Sequence, residues 1–159
     1  MREFDELGLQ LAKLQGNLFE ESILRYKGSS AIFIRNFMYS EEVSKVDRYL
    51  EFDSTNIINS LDKRNLNIGK TKYNQEIIYW IGYIYRYWAY VYEYSSKRIY
   101  KIVNADAMKK LYKTYHTMEP KKAIDRILEE KGLIVDDSYD IQYEKYKQFV
   151  KERGFEYKI

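Results

Sequence analysis

The residue types that most often carry chemistry are thinly spread along this chain. His116 is the single histidine and there is no cysteine. A Ser/His/Asp triad could be assembled only around His116, while a multi-histidine metal site, a thiolate ligand and a thiol nucleophile are all excluded. No G-x-S-x-G motif accompanies His116, and a solitary histidine at a helix end usually caps the helix or faces solvent. Carboxylates stand in pairs at Glu20/Glu21, Glu41/Glu42 and Asp136/Asp137. Adjacent residues on a helix diverge by roughly 100° and do not converge on one substrate or metal; the preference of helix N-termini for acidic residues accounts for the last two pairs. The seven glycines are scattered, with neither a P-loop nor a G-x-G-x-x-G turn, which disfavours a dedicated nucleotide site. We therefore expect no catalytic residue, no metal and no cofactor, and a protein that is not an enzyme.

The strongest constellation is of another kind. The run "YWIGYIYRYWAYVYEY", Tyr79 to Tyr94, crowds tyrosines and two tryptophans around Arg86 and Glu93, with the basic segment "SKRIYKI" just beyond. Arginine beside flat aromatic faces can stack unpaired bases or anchor a protein interface. The candidate partner-binding residues are Arg86, Tyr83, Tyr87, Tyr90, Glu93 and Arg98, although packing of the stripe in the core is expected ahead of surface binding. Seven positions, two helical turns, separate Arg86 from Glu93, so both side chains leave the same side of a helix. If that side is buried, Arg86 must be paired with Glu93, with an acidic residue of the N-terminal half or with tyrosine hydroxyls. If it is exposed, Arg86 is a binding hot spot. We expect the buried role.

The elements that would hold these residues read as helices. Phe4, Leu7, Leu11, Leu14 and Leu18 recur at spacings of three and four, predicting a helix over about Glu3 to Tyr26 with that stripe turned inward. Gly28 and the serines Ser29 and Ser30 stop it and cap "AIFIRNFM". Ser40 caps a third helix through Val43, Val46 and Leu50, Ser54 or Thr55 begins a fourth containing Ile57, Ile58 and Leu61, and "KRNLNIGKTKYN" is loop-like. The tyrosine run alternates like a strand at Tyr83, Tyr85 and Tyr87, but the alternation breaks at Trp88-Ala89. The apolar pattern from Ile77 to Val103 is also far longer than an ordinary strand. With Asn74 as N-cap it predicts one continuous helix of about 40 Å. Its single narrow polar arc is Gly82, Arg86, Glu93 and Lys97; beside it run Tyr79, Tyr83, Tyr87, Tyr90 and Tyr94. A helix apolar nearly all round is central and buried. Asn104 is read as the cap of the next helix. Pro120 opens another, closed by Gly132, with Ala123, Ile124, Ile127 and Leu128 inward, and Ile141 to Val150 suggests a last one stopping at Gly154. The expected fold is all-α, a single-domain multi-helix bundle over residues 1–159 around a long central tyrosine-rich helix.

Composition agrees with such a domain. The chain has 159 residues, 45% hydrophobic and 32% charged, with one proline and 18 tyrosines, which is unlike a disordered segment. The net charge is +3, unevenly laid out: eleven acidic and seven basic residues from Met1 to Asp62, ten basic and five acidic from Lys97 to Lys131. Arg86 and Glu93 interrupt the central run, so no membrane span is expected. The charged opening "MREFDELGLQ" lacks the apolar core of a signal peptide. With the absence of cysteine, this makes the cytoplasm the expected location.

The motifs "AKLQG", "SSAIFIRNFM" and "YWIGYIYRYW", spread over Phe4 to Leu128, resemble a small bacterial family whose genes resemble members of toxin–antitoxin-like cassettes and neighbour small proteins similar to ADP-ribosyltransferases. The resemblance implies a partner-binding, antitoxin-like or neutralising role and a cognate protein partner, with nucleic acid a less favoured one. It supplies no catalytic residues. The alternative is an RNA-binding helical protein or a ribonuclease resembling the HEPN toxins, whose signature is an arginine and a later histidine with four to six residues between them. At those spacings before His116 stand Lys109, Lys110 and Leu111, and lysine lacks arginine's bidentate fork.

Overall fold

Capping chemistry sets the element boundaries. In the computed structural model, which describes residues 1–63 and 69–133, Asp5 accepts from the Gly8 N–H and starts α1 (Glu6–Arg25). Ser29 and Ser40 do the same for α2 (Ser30–Met38) and α3 (Glu41–Tyr49). Asp53 accepts from Asn56 at the head of α4 (Ser54–Lys63). Asn74, Ser95 and Asn104 cap α5 (Gln75–Tyr92), α6 (Ser96–Ile102) and α7 (Ala105–Tyr115), and Pro120 opens α8 (Pro120–Glu130). Gly132 follows α8 at φ +69°, the left-handed conformation that favours glycine after a helix. The protein is all-α; among the described residues there is no strand, and no helix there is long and apolar enough to cross a membrane. The expected helix over Ile141 to Val150, the Asp136/Asp137 pair and part of the expected loop lie outside the described residues.

The central helix is shorter than the sequence implies. Glu93 adopts φ 58°, ψ 35°, and Ser95 then caps α6 by accepting from the Arg98 N–H. The helical apolar pattern continues past Glu93 from Ile77 to Val103, so periodicity alone sees one helix. Left-handed backbone at a non-glycine residue leaves no mark in composition.

α5 is nonetheless the axis of the bundle, and α1 is its principal partner. Twelve of its eighteen residues are buried. The inward face of α1 keeps only part of the expected stripe. Leu11 and Leu18 are buried, but Leu7 and Leu14 are exposed, and Gly8, Ala12, Gln15, Gly16 and Phe19 are buried beside them. Small residues win the seam because they let two backbones approach closely. A Cβ at Gly82 of α5 would stand 2.7 Å from the Gln15 carbonyl oxygen, and one at Gly16 would stand 2.7 Å from the Tyr79 ring. The arc of α5 that reads as polar, Gly82 with Arg86, is therefore the packing seam rather than a solvent face. α5 also meets α6, α7 and α8, with Trp88, Ile99, Met108, Ile124 and Leu128 buried in the core.

Candidate partner-binding surface

Arg86 sits in the seam with 1% of its surface exposed, and three elements supply its partners. Its Nε donates to Gln15 Oε1 of α1 at 2.9 Å, Nη1 to Asp47 Oδ1 of α3 at 2.7 Å, and Nη2 to Ser96 Oγ of α6 at 3.3 Å. Ser96 in turn donates its N–H to Asp47 Oδ2 and its hydroxyl to Asp47 Oδ1, both at 2.8 Å, and Gln15 Nε2 donates to the Gly82 carbonyl at 3.0 Å. Burial pushes the Arg86 guanidinium below its ordinary value, and the Asp47 charge and hydrogen bond oppose that; an arginine so paired keeps its charge. Of the acceptors the sequence allows, the acidic residue of the N-terminal half is the one used. Glu93 is exposed and meets Arg2 instead, at 3.2 Å. Buried as it is, Arg86 presents no surface to a partner.

The tyrosine candidates are divided in the same way. Tyr90 is buried and donates to Asp5 Oδ1 at 2.6 Å, with the Arg2 guanidinium 4.6 Å from its ring centroid. Tyr87 is buried and Tyr83 half-buried, and Phe4 packs on both at centroid distances of 4.4 and 6.5 Å. The Arg2 N–H donates to the Val91 carbonyl at 2.8 Å. The first five residues thus lie along the tyrosine arc and cover much of it. Burial raises the hydroxyls of Tyr79, Tyr83, Tyr87 and Tyr90 above the ordinary tyrosine range.

Arg98 remains at the surface. It lies over the face of Tyr94, 3.6 Å from the ring centroid, a cation–π contact. On the same short helix Lys97 lies 5.6 Å from the Tyr39 centroid, and Tyr39 meets Tyr100 edge-on at 5.4 Å. A crevice of about 280 Å3 opens beside them, lined by Met38, Tyr39, Ser44, Asp47, Ser95 and Lys97 among others. Asp47 joins this crevice to the buried Arg86, so the exposed cluster stands on a braced base. Spacing does not single out Tyr39 and Tyr100, and it puts Tyr94 and Lys97 on arcs of one long helix without marking them as binding residues. The visible signal was the basic segment "SKRIYKI", in which Lys97, Tyr100 and Lys101 follow at i, i+3 and i+4 and share one side of a helix.

His116 is the C-cap of α7 and is exposed. Its Nδ1 donates to the Tyr112 carbonyl at 2.7 Å, since a carbonyl can only accept, and its ring stacks on Tyr112 at 4.3 Å. Lys109, at one of the spacings where the ribonuclease signature needs arginine, lies over the Tyr73 ring at 4.9 Å. Among the described residues no group of three or more histidine, cysteine, aspartate or glutamate side chains is arranged to hold a metal ion. Compared with models of protein families, with curated proteins and with solved structures, the chain matches none.

Proposed function

We propose that this chain is a non-enzymatic protein-binding component that neutralises a cognate protein, as its resemblance to members of toxin–antitoxin-like cassettes implies, and that it acts in the cytoplasm. The observation that carries this is the exposed cation–aromatic cluster of α6, with Arg98 over Tyr94 and Lys97 over Tyr39. Arginine and tyrosine are the residues on which interface energy concentrates. Here they are held by a short helix whose Ser96 is locked to Asp47 and Arg86. Preorganised side chains lose little freedom on binding, which favours affinity.

The test is co-expression with the ADP-ribosyltransferase-like protein of such a cassette in a host whose growth that protein arrests. The expected outcome is restored growth, lost when Arg98 and Lys97 are both replaced by alanine. Growth that stays arrested, or arrest caused by this chain alone, contradicts the proposal.

A further inference from the structure

The cations around α6 outnumber their acidic neighbours. Arg35 of α2 and Lys97, Arg98 and Lys101 of α6 are exposed, and among the described residues none of the four forms an ion pair. Neither α2, SAIFIRNFM, nor α6, SKRIYKI, contains an acidic residue. The acids nearest this face are already engaged, Glu41 excepted. Asp47 is held by Arg86 and Ser96, Asp106 accepts from the Tyr73 hydroxyl at 2.6 Å, and Glu41 lines the crevice, the one acid there against the three cations that is not so held. Arg35 lies one turn before Tyr39, and its charge reaches Tyr100, where it opposes the upward push of burial on that hydroxyl. Lys97 lines the 280 Å3 crevice beside Tyr39, Lys101 follows it by one turn on α6 and Arg35 precedes Tyr39 by one turn on α2, so the three cations form one positive patch about the Tyr39–Tyr100 pair.

Resting on the partner-binding function above, we infer that this patch receives an acidic segment of the partner protein, with its carboxylates on Arg35, Lys97 and Lys101 and an uncharged side chain in the crevice. Charge complementarity gives the sign of the occupant. Its class follows from the rings. Single-stranded nucleic acid binds through open aromatic faces on which successive bases stack, whereas here the face of Tyr39 carries Lys97, the face of Tyr94 carries Arg98, and Tyr100 meets Tyr39 edge-on. Carboxylates need only the cations, which are exposed and, among the described residues, make no ion pair.

Two measurements test this. In the first, fluorescence anisotropy follows a labelled peptide of alternating glutamate and leucine, and a labelled single-stranded RNA of equal length, against the full chain and two charge-reversal variants. One variant is Lys97→Glu/Lys101→Glu; the other, Lys13→Glu/Lys27→Glu, changes net charge equally at exposed sites on and just after α1. The expected result is peptide binding that weakens about tenfold or more in the α6 variant, weakens less than about threefold in the α1 variant, and falls with salt. No detectable binding of the peptide, equal losses in the two variants, or tighter binding of RNA than of peptide overturns the inference. In the second, the cassette-encoded protein is co-purified with the wild-type chain and the α6 variant. Capture by the wild type and not by the variant supports the inference, and equal capture by both overturns it while leaving the partner-binding function standing. No capture by the wild type removes that function itself. Unchanged thermal unfolding of both variants confirms that folding is intact.

Discussion

Arg86 and Asp47, thirty-nine positions apart in the chain, meet at 2.7 Å inside the seam between α1, α3, α5 and α6. This pair ties the middle of the central helix to the helix that carries the exposed cation–aromatic cluster. Removing one partner of a buried ion pair leaves the other uncompensated, at about 3–5 kcal/mol. Arg86→Met should therefore lower stability by about that amount, measured by urea unfolding, and Asp47→Ala by at least as much, because it strands the guanidinium at 1% exposure whereas the carboxylate left by Arg86→Met keeps 13% of its side-chain surface exposed. Arg86→Met/Asp47→Leu should recover part of the loss. Equal stability of Arg86→Met and wild type would show that the pair contributes nothing.

The three seam glycines should differ in their tolerance of alanine. At Gly82 the new methyl would meet backbone, the Gln15 carbonyl at 2.7 Å. Gly82→Ala should cost about 1–3 kcal/mol despite alanine's better helix propensity, because two helices must part. At Gly16 the obstacle is the ring of half-buried Tyr79, which can swing outward, so Gly16→Ala should lie within about 1 kcal/mol of wild type. Gly8 should fall between, since the ring it meets belongs to Tyr90, buried and held by Asp5. A thermal-shift series gives this order directly.

Stability should fall in alkali. Ten of the fourteen tyrosines among the described residues have their hydroxyls raised above the ordinary value near 10, chiefly by burial, and at Tyr115 first by its hydrogen bond to Glu130. Folded chain then holds protons that unfolded chain releases, so stability is full below about pH 10 and declines as pH rises through the raised values. Tyrosinate absorbance should appear in two phases. The buried group led by Tyr85, which donates to the Val103 carbonyl, ionises only as helical circular dichroism is lost, and that is the later phase. A single phase centred at the ordinary tyrosine value with the helices intact would contradict this.

Asp5 should show the opposite pH dependence. Its hydrogen bond from Tyr90, then that from the Gly8 N–H, hold its carboxyl below the ordinary carboxylate range. What Asp5 contributes is therefore present above that range and lost as pH falls through its lowered value. Asp5→Asn should have a lower melting temperature than wild type at neutral pH, and the gap should close in acid.

Much of the fold was legible. Serine, asparagine and proline punctuation placed the starts of α2, α3, α5, α7 and α8, because capping is local chemistry between a side chain and N–H groups two or three residues on. The break at Glu93 was not, since an apolar pattern carries no signal for one left-handed residue. Nor was the seam. Leu7 and Leu14 outrank Gly8 and Gly16 in hydrophobicity, but close approach of α5 rewards the absence of a side chain. At the candidate site the arginine's burial was readable, since a nearly all-apolar helix leaves a charge little choice, while an acid of the N-terminal half stood as one of three possible acceptors beside Glu93 and the tyrosine hydroxyls. Which acid it would be was fixed only by the tertiary path of α3. Tyr39 and Lys97 lie fifty-eight positions apart, and nothing in spacing joins them.

The central claim, the proposal that this chain works by binding a protein rather than by catalysis, is tested most directly by titrating the purified chain in a calorimeter with a purified ADP-ribosyltransferase-like protein from a cassette of the kind that the resemblance implies. The account predicts a saturable complex of micromolar affinity or tighter, about −8 kcal/mol, weakened at least about tenfold by Arg98→Ala/Lys97→Ala and unchanged by His116→Ala. Absence of heat and of a complex, together with RNA hydrolysis by the chain that disappears in His116→Ala, would contradict it.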